Sequence, residues 1–180
     1  MTYAQFPFVV VMPQCRNEKL WTDADMQAQA LAALEESMKE FNGDPERVYL
    51  TGLSMGGYGT WDLATKHPGK FAAYIIICGG IRGPAQFPAL HVGLVDDAKV
   101  TDPYAETARH VSKTPVWIFH GADDPTVPVE ESRKMTAALN AAGGIVRYTE
   151  FPGVGHESWV PAYAEPELFP WLLQQKLSRR

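Results

Sequence analysis

An α/β fold built on a mainly parallel sheet follows from three features of this 180-residue sequence. Short runs rich in β-branched residues alternate with longer segments of helical period. The runs are apolar along most of their length, as strands buried on both faces must be. Glycines and prolines punctuate the joins.

The elements follow in order. Phe8-Val9-Val10-Val11-Met12 reads as a strand stopped by Pro13. From Asp23 to Phe41 the apolar residues Met26, Ala30, Leu34, Met38 and Phe41 recur at steps of four and three, one face of a helix. Thr22 or Asp23 is placed to cap it, and Gly43 lies just past its end. Arg47 to Thr51 is the next strand, Met55 to His67 a helix stopped by Pro68, and Phe71 to Cys78 a strand ended by Gly79-Gly80. Mixed polarity with Pro84, Pro88 and Pro103 makes 82–114 a loop with one or two short helices. Pro115 to Phe119 resumes the sheet, Glu130 to Ala142 is helical, Ile145 to Phe151 is a strand, and Glu165 to Leu177 a final helix. One domain over residues 1–180 is expected at this length.

Composition narrows the function. Hydrophobic residues make up 46% and charged residues 21%, values of an ordinary globular chain. Net charge is −5 with no basic tract beyond Arg179-Arg180, which argues against a nucleic-acid partner. The longest apolar run, Phe71 to Ile81, covers 11 residues. A membrane helix needs about 20, so no membrane partner is expected. Cys15 and Cys78 form no CxxC pair and read as free thiols, although spacing alone does not decide a disulfide between them. No metal or organic cofactor is implied. The N-terminus lacks the pattern of a signal peptide, as a mature secreted chain would too, so the compartment stays open.

Ligands of such sheets bind outside the carboxyl ends of the strands. There the chain carries Gly52-Leu53-Ser54-Met55-Gly56, a G-x-S-x-G sequence between a strand and a helix. A turn that tight strains the serine backbone and holds its oxygen above the sheet. A hydroxyl is a weak nucleophile at neutral pH and needs a base, which needs an orienting acid. Of five histidines, His156 follows the last strand in a glycine-lined loop and is the candidate base. His67 reads as a dipole partner at a helix end, His91 and His110 lie in irregular chain, and His120 ends a strand close to the site and reads as structural. Asp123 and Asp124 follow a neighbouring strand, and spacing alone does not choose between them. The first helical amide, Met55 N–H, faces the place where an oxyanion would form. Trp21 and Trp159 flank loops at the site edge and are candidates to contact substrate, as are Gln14 and Cys15.

Ser54, an aspartate and His156 occur in the chain order of α/β-hydrolases. The stretch Gly52 to Gly59, the run His120-Gly-Ala-Asp-Asp-Pro-Thr-Val-Pro128 and the segment Gly155-His-Glu-Ser-Trp159 resemble the branch of feruloyl and acetyl esterases and polyhydroxybutyrate-depolymerase-like enzymes. Val11-Met-Pro-Gln-Cys15 is similar to that branch too. The resemblance implies a three-layer α/β-hydrolase sandwich. It also implies a serine carboxylesterase, acting on a small-molecule or polysaccharide-linked ester, with Asp124 as the acid; peptidase or thioesterase activity through the same three residues is the alternative within that class. A dienelactone-type hydrolase is not expected, since that subfamily carries cysteine where Ser54 stands.

Members of the resembled family also have an earlier strand whose His-Gly loop gives a second oxyanion N–H. Here nothing precedes the Phe8 run. A donor near Gln14 or Cys15, a longer parent chain and an impaired, non-catalytic binding domain are the three alternatives. An uncovered first strand would also offer an edge for pairing two copies.

Overall fold

The computed structural model describes residues 6–177, so Arg179-Arg180 lies outside it. Four parallel strands form the sheet in the order β1-β2-β3-β4, with β1 at Tyr49–Leu53, β2 at Ala73–Ile77, β3 at Val116–Gly121 and β4 at Val146–Phe151. Helix α1 (Ala24–Glu40) precedes the sheet, α2 (Met55–Lys66), α3 (Pro103–Val111) and α4 (Glu130–Ala141) connect its strands, and α5 (Trp159–Tyr163) and α6 (Leu168–Gln174) follow it.

Strand order equal to chain order fixes the layers. Crossovers between parallel strands are right-handed, so three successive steps in one direction place α2, α3 and α4 on a single face. The side chains agree. Tyr74, Ile76, Val116 and Ile118 point to that face and meet Trp61, Ala108, Val111, Met135 and Leu139. The alternate residues Ala73, Ile75, Ile77, Trp117 and Phe119 point to the other, where Ala162, Leu168 and Leu172 of α5 and α6 cover them. This is the period of two that a strand imposes. No helix of the described residues is long and apolar enough to cross a membrane.

Several boundaries differ from the sequence expectation, each for a local reason. Phe8–Met12 joins no strand of the sheet. Val9, Val10 and Met12 are exposed by more than half, Val11 is partly buried, and Phe8 packs against Tyr49 and Phe169. Apolarity makes a run fit for a strand, but a strand exists only where a neighbour supplies the ladder. The free edges are therefore β1 and β4, not the Phe8 run. β1 lies two residues further on than expected and runs right up to Ser54. The final helix starts at Leu168 because proline is tolerated only in a first turn, where Pro170 then falls. Pro161 sits likewise in α5, which the sequence reading missed. In α3, Asp102 caps with bonds from the Tyr104 and Ala105 amides, and Pro103 takes the first position.

Glu150 of β4 accepts two bonds from Arg133 of α4, at 2.7 and 3.0 Å, and one from the Tyr148 hydroxyl. Foremost the Arg133 bonds, then the Tyr148 bond, hold its carboxyl down at about 2. A carboxyl depressed on folding stabilises the native state above its unfolded value, and that contribution fades as pH falls from about 4.5 toward 2. Glu150→Gln should therefore lower the melting temperature at pH 6 to 7, with the gap to wild type closing on acidification to pH 2. A gap independent of pH would contradict this.

Candidate active site

The four strand ends share one rim, and the residues just beyond them define the site. Ser54 is the turn between β1 and α2, with φ 48° and ψ −119°, a conformation few residues other than glycine adopt. Its amide donates to the Ile77 carbonyl at 2.9 Å, extending the β1–β2 ladder through the strained residue. The turn closes only because its glycines have no side chain. A Cβ on Gly52 would fall on the carbonyl oxygen of Gly56, and one on Gly57 would come within 2.8 Å of the Gly79 Cα.

His156 reaches Ser54 from the loop after β4. A Cβ on Gly121 would strike the carbonyls of Val154 and Gly155, so this loop rests directly on the end of β3. His156 Nε2 lies 2.8 Å from Ser54 Oγ, and Nδ1 lies 2.8 Å from Asp124 Oδ2. The Asp124 side chain is fully buried, and its Oδ1 accepts the amides of Thr126 and Val127 at 2.8 and 3.0 Å. Asp123 is exposed, so of the two neighbouring acids Asp124 is the one that meets His156. Because a carboxylate can only accept, Nδ1 of His156 carries the proton and Nε2 is free to take one from the serine hydroxyl. That chain can relay a proton from an attacking hydroxyl. Met55 opens α2, so its amide is among the orphan donors at a helix N-terminus, the end that favours negative charge.

The other candidates sit differently. Trp159 packs edge-on to the His156 ring, with centroids 5.6 Å apart. Trp21 lies on α2, its Cβ filling the space above Gly59. The Gln14 carbonyl accepts from Gln29 of α1, and the Cys15 thiol lies 3.4 Å from the Lys19 carbonyl. The bonds of Gln14 and Cys15 thus run to α1 and their own loop, not to Ser54 or His156.

Cys78 escaped the sequence reading as a site residue, and His120, expected near the site as a structural residue, touches its acid. His120 is fully buried, 3.2 Å from Asp124 Oδ2. Cys78, at φ 41°, follows β2 as Ser54 follows β1. Its sulfur and the ligand atoms of Asp124 and His156 lie within 4.8 Å of one another, the one group of metal-ligating type among the described residues. Two of its three members are already bonded to each other. Both cysteines are free, and burial pushes the Cys78 thiol up to about 11. The parallel register was the available clue: Leu53 pairs with Ile77, so Ser54 and Cys78 are neighbours on the rim.

A parallel sheet with a strained serine between strand and helix, backed by a histidine and an acid from later strand ends, defines an α/β-hydrolase. The chain belongs to the dienelactone hydrolase family, whose profile matches residues 11–164. This corrects the expectation that set such hydrolases aside, which leaned on the identity of one side chain whereas the match extends over most of the molecule. The chain is 31% identical over 125 residues to acyl-protein thioesterase 1 of Gibberella zeae, covering 69% of this chain and 47% of that protein. It superposes on a thermostable esterase with a TM-score of 0.73 at 34% identity, over 91% of this chain and 43% of the other. Pyrococcus horikoshii acylaminoacyl peptidase, at 21% identity and TM-score 0.64, shares the fold over 83% of this chain and 27% of its own. In all three, this chain spans less than half of the relative's length.

Two predictions follow from the rim. At a thiol value of about 11, roughly 1 in 1000 Cys78 side chains is a thiolate at pH 8. Ellman's reagent at pH 8 should therefore titrate Cys15 in the native protein and Cys78 only after denaturation; two rapid equivalents from native protein would contradict the burial. Gly52→Ala should cost about 1–3 kcal/mol in urea denaturation, the usual range for overpacking. Unchanged stability would mean that the turn is looser than its contacts indicate.

Proposed function

We propose that the protein is a serine hydrolase of carboxylic esters that works through an acyl-enzyme. The observation that carries this reading is the unbroken chain Ser54 Oγ–His156 Nε2 at 2.8 Å and His156 Nδ1–Asp124 Oδ2 at 2.8 Å. Ser54 Oγ attacks the acyl carbon as its proton passes to His156 Nε2. The tetrahedral oxyanion forms beside the Met55 amide, with the N-terminal end of α2 behind it. His156 then gives that proton to the departing alcohol, leaving the acyl group on Ser54. Water, losing its proton to the same nitrogen, attacks the ester, and collapse returns the acid and the free hydroxyl. Throughout, Asp124 holds the imidazole in one tautomer and balances its transient positive charge.

Likeness to feruloyl and acetyl esterases in the motifs around Ser54, His120 and His156 supports an oxygen-ester substrate with an aromatic or short acyl group. A thioester reading draws on the similarity to acyl-protein thioesterase 1. One acyl-transfer apparatus serves both, and the leaving atom alone differs.

p-Nitrophenyl acetate, methyl ferulate and an acyl thioester, assayed side by side, separate these readings by relative kcat/KM. Ser54→Ala should abolish hydrolysis of the preferred ester, by about 10⁴-fold or more, the scale on which nucleophile removal acts. A fluorophosphonate probe should label Ser54 of the wild type and not of the variant. Absence of labelling, or full activity in Ser54→Ala, would instead leave a binding domain on a hydrolase scaffold.

A further inference from the structure

We propose that His120 is a positioning residue for the acid of the site: a neutral imidazole whose one Nε2–H, bonded to the Val127 carbonyl, is shared with Asp124 Oδ2 and is the fourth donor facing that carboxylate. The inference rests on the Ser54–His156–Asp124 reading and adds a member to it. His120 is the penultimate residue of β3 and has no exposed surface. Its Nε2 lies 3.0 Å from the Val127 carbonyl and 3.2 Å from Asp124 Oδ2, and its Nδ1 lies 2.7 Å from Ser132 Oγ on α4.

These partners fix the tautomer. A carbonyl and a carboxylate can only accept, so the nitrogen facing both must carry the hydrogen. The remaining nitrogen then accepts from the Ser132 hydroxyl, the one partner able to donate. Burial holds the imidazole below its usual value despite the nearby Asp124 carboxylate, which favours the neutral form.

The count at Asp124 then closes. A carboxylate offers about four lone-pair sites. Oδ1 receives the Thr126 and Val127 amides, Oδ2 receives His156 Nδ1–H, and the last site faces, at 3.2 Å, the His120 Nε2–H that is shared with the Val127 carbonyl. With every site occupied the carboxylate plane cannot turn. The direction in which Oδ2 points at His156 is thereby set by β3, the 124–127 turn and α4 together. Without His120 one buried lone pair is unmet, and the carboxylate can tip away from the line to His156. A histidine that only stapled β3 to the turn would affect stability and leave turnover alone.

The test uses His120→Phe, which removes the donor, and His120→Gln, whose amide N–H can take the place of Nε2–H. With p-nitrophenyl acetate, His120→Phe should lose kcat by about 10- to 100-fold, the scale of a slightly misplaced catalytic group, with KM nearly unchanged. His120→Gln should recover most of it. The downfield proton resonance of His156 Nδ1–H should weaken in His120→Phe and return in His120→Gln. Wild-type kcat in folded His120→Phe, or a Gln variant as slow as the Phe variant, would overturn the inference. Should His120→Phe fail to fold, nitrogen NMR of the wild type decides, since a charged or Nδ1–H His120 would equally overturn it. A wild type inert toward all three esters would instead sink the hydrolase reading, while the tautomer measurement would still judge the His120 geometry.

Discussion

The turn at Ser54 holds a side-chain-bearing residue at φ 48°, on the side of backbone space that costs of order 1–3 kcal/mol. What keeps it there is the ladder. The Ser54 amide is bonded to Ile77, and the residue after β2, Cys78, is bonded in turn to the Phe119 carbonyl at 2.9 Å. Two strained residues therefore stand side by side, each tied to the next strand inward. β2 and β3 are buried at every position, so the strained pair is anchored in the core of the sheet. Glycines at 57 and 79 let α2 press against this pair, so the turn is clamped from above as well.

The same geometry concentrates chemistry on one rim. Parallel strands all end on the same side, and each ends in a different loop. Residues separated by 102 positions, Ser54 and His156, thus come within hydrogen-bond distance without either belonging to a long excursion. Dryness follows from the layering. The Asp124 side chain is fully buried while that of His156 keeps 19% of its surface exposed, so the imidazole is the member open to the outside and the carboxylate is shielded from water. Charge interactions behind the imidazole gain strength from that shielding.

Much of this was legible from residue order. The alternation of apolar runs with helical periods marked every strand of the sheet, and G-x-S-x-G between strand and helix marked the turn. Asp124 over Asp123 was legible only through resemblance, because adjacent residues differ in which side of a loop they face, and that is set by the bonds from Thr126 and Val127. Phe8–Met12 misled because composition reports fitness for a ladder and not the presence of a partner. Cys78 was invisible as a site residue for a related reason. It looks like core in one dimension, and only the register of neighbouring strands brings it to the rim.

The placement of Trp159 shows how tightly the base is governed. It opens α5, whose Ala162 is packed beneath the sheet, so its ring is anchored by the core it joins and not by the loop that carries His156. Standing at 89° to the imidazole, it bounds the ring on one side while Asp124 and Ser54 hold the two nitrogens. An imidazole so confined can pivot little about χ1 without losing a bond. The freedom a glycine-lined loop would otherwise give His156 is taken away by a side chain from a different layer. His156 is thus held from two sides: by the 124–127 turn through Asp124, and by α5 through Trp159.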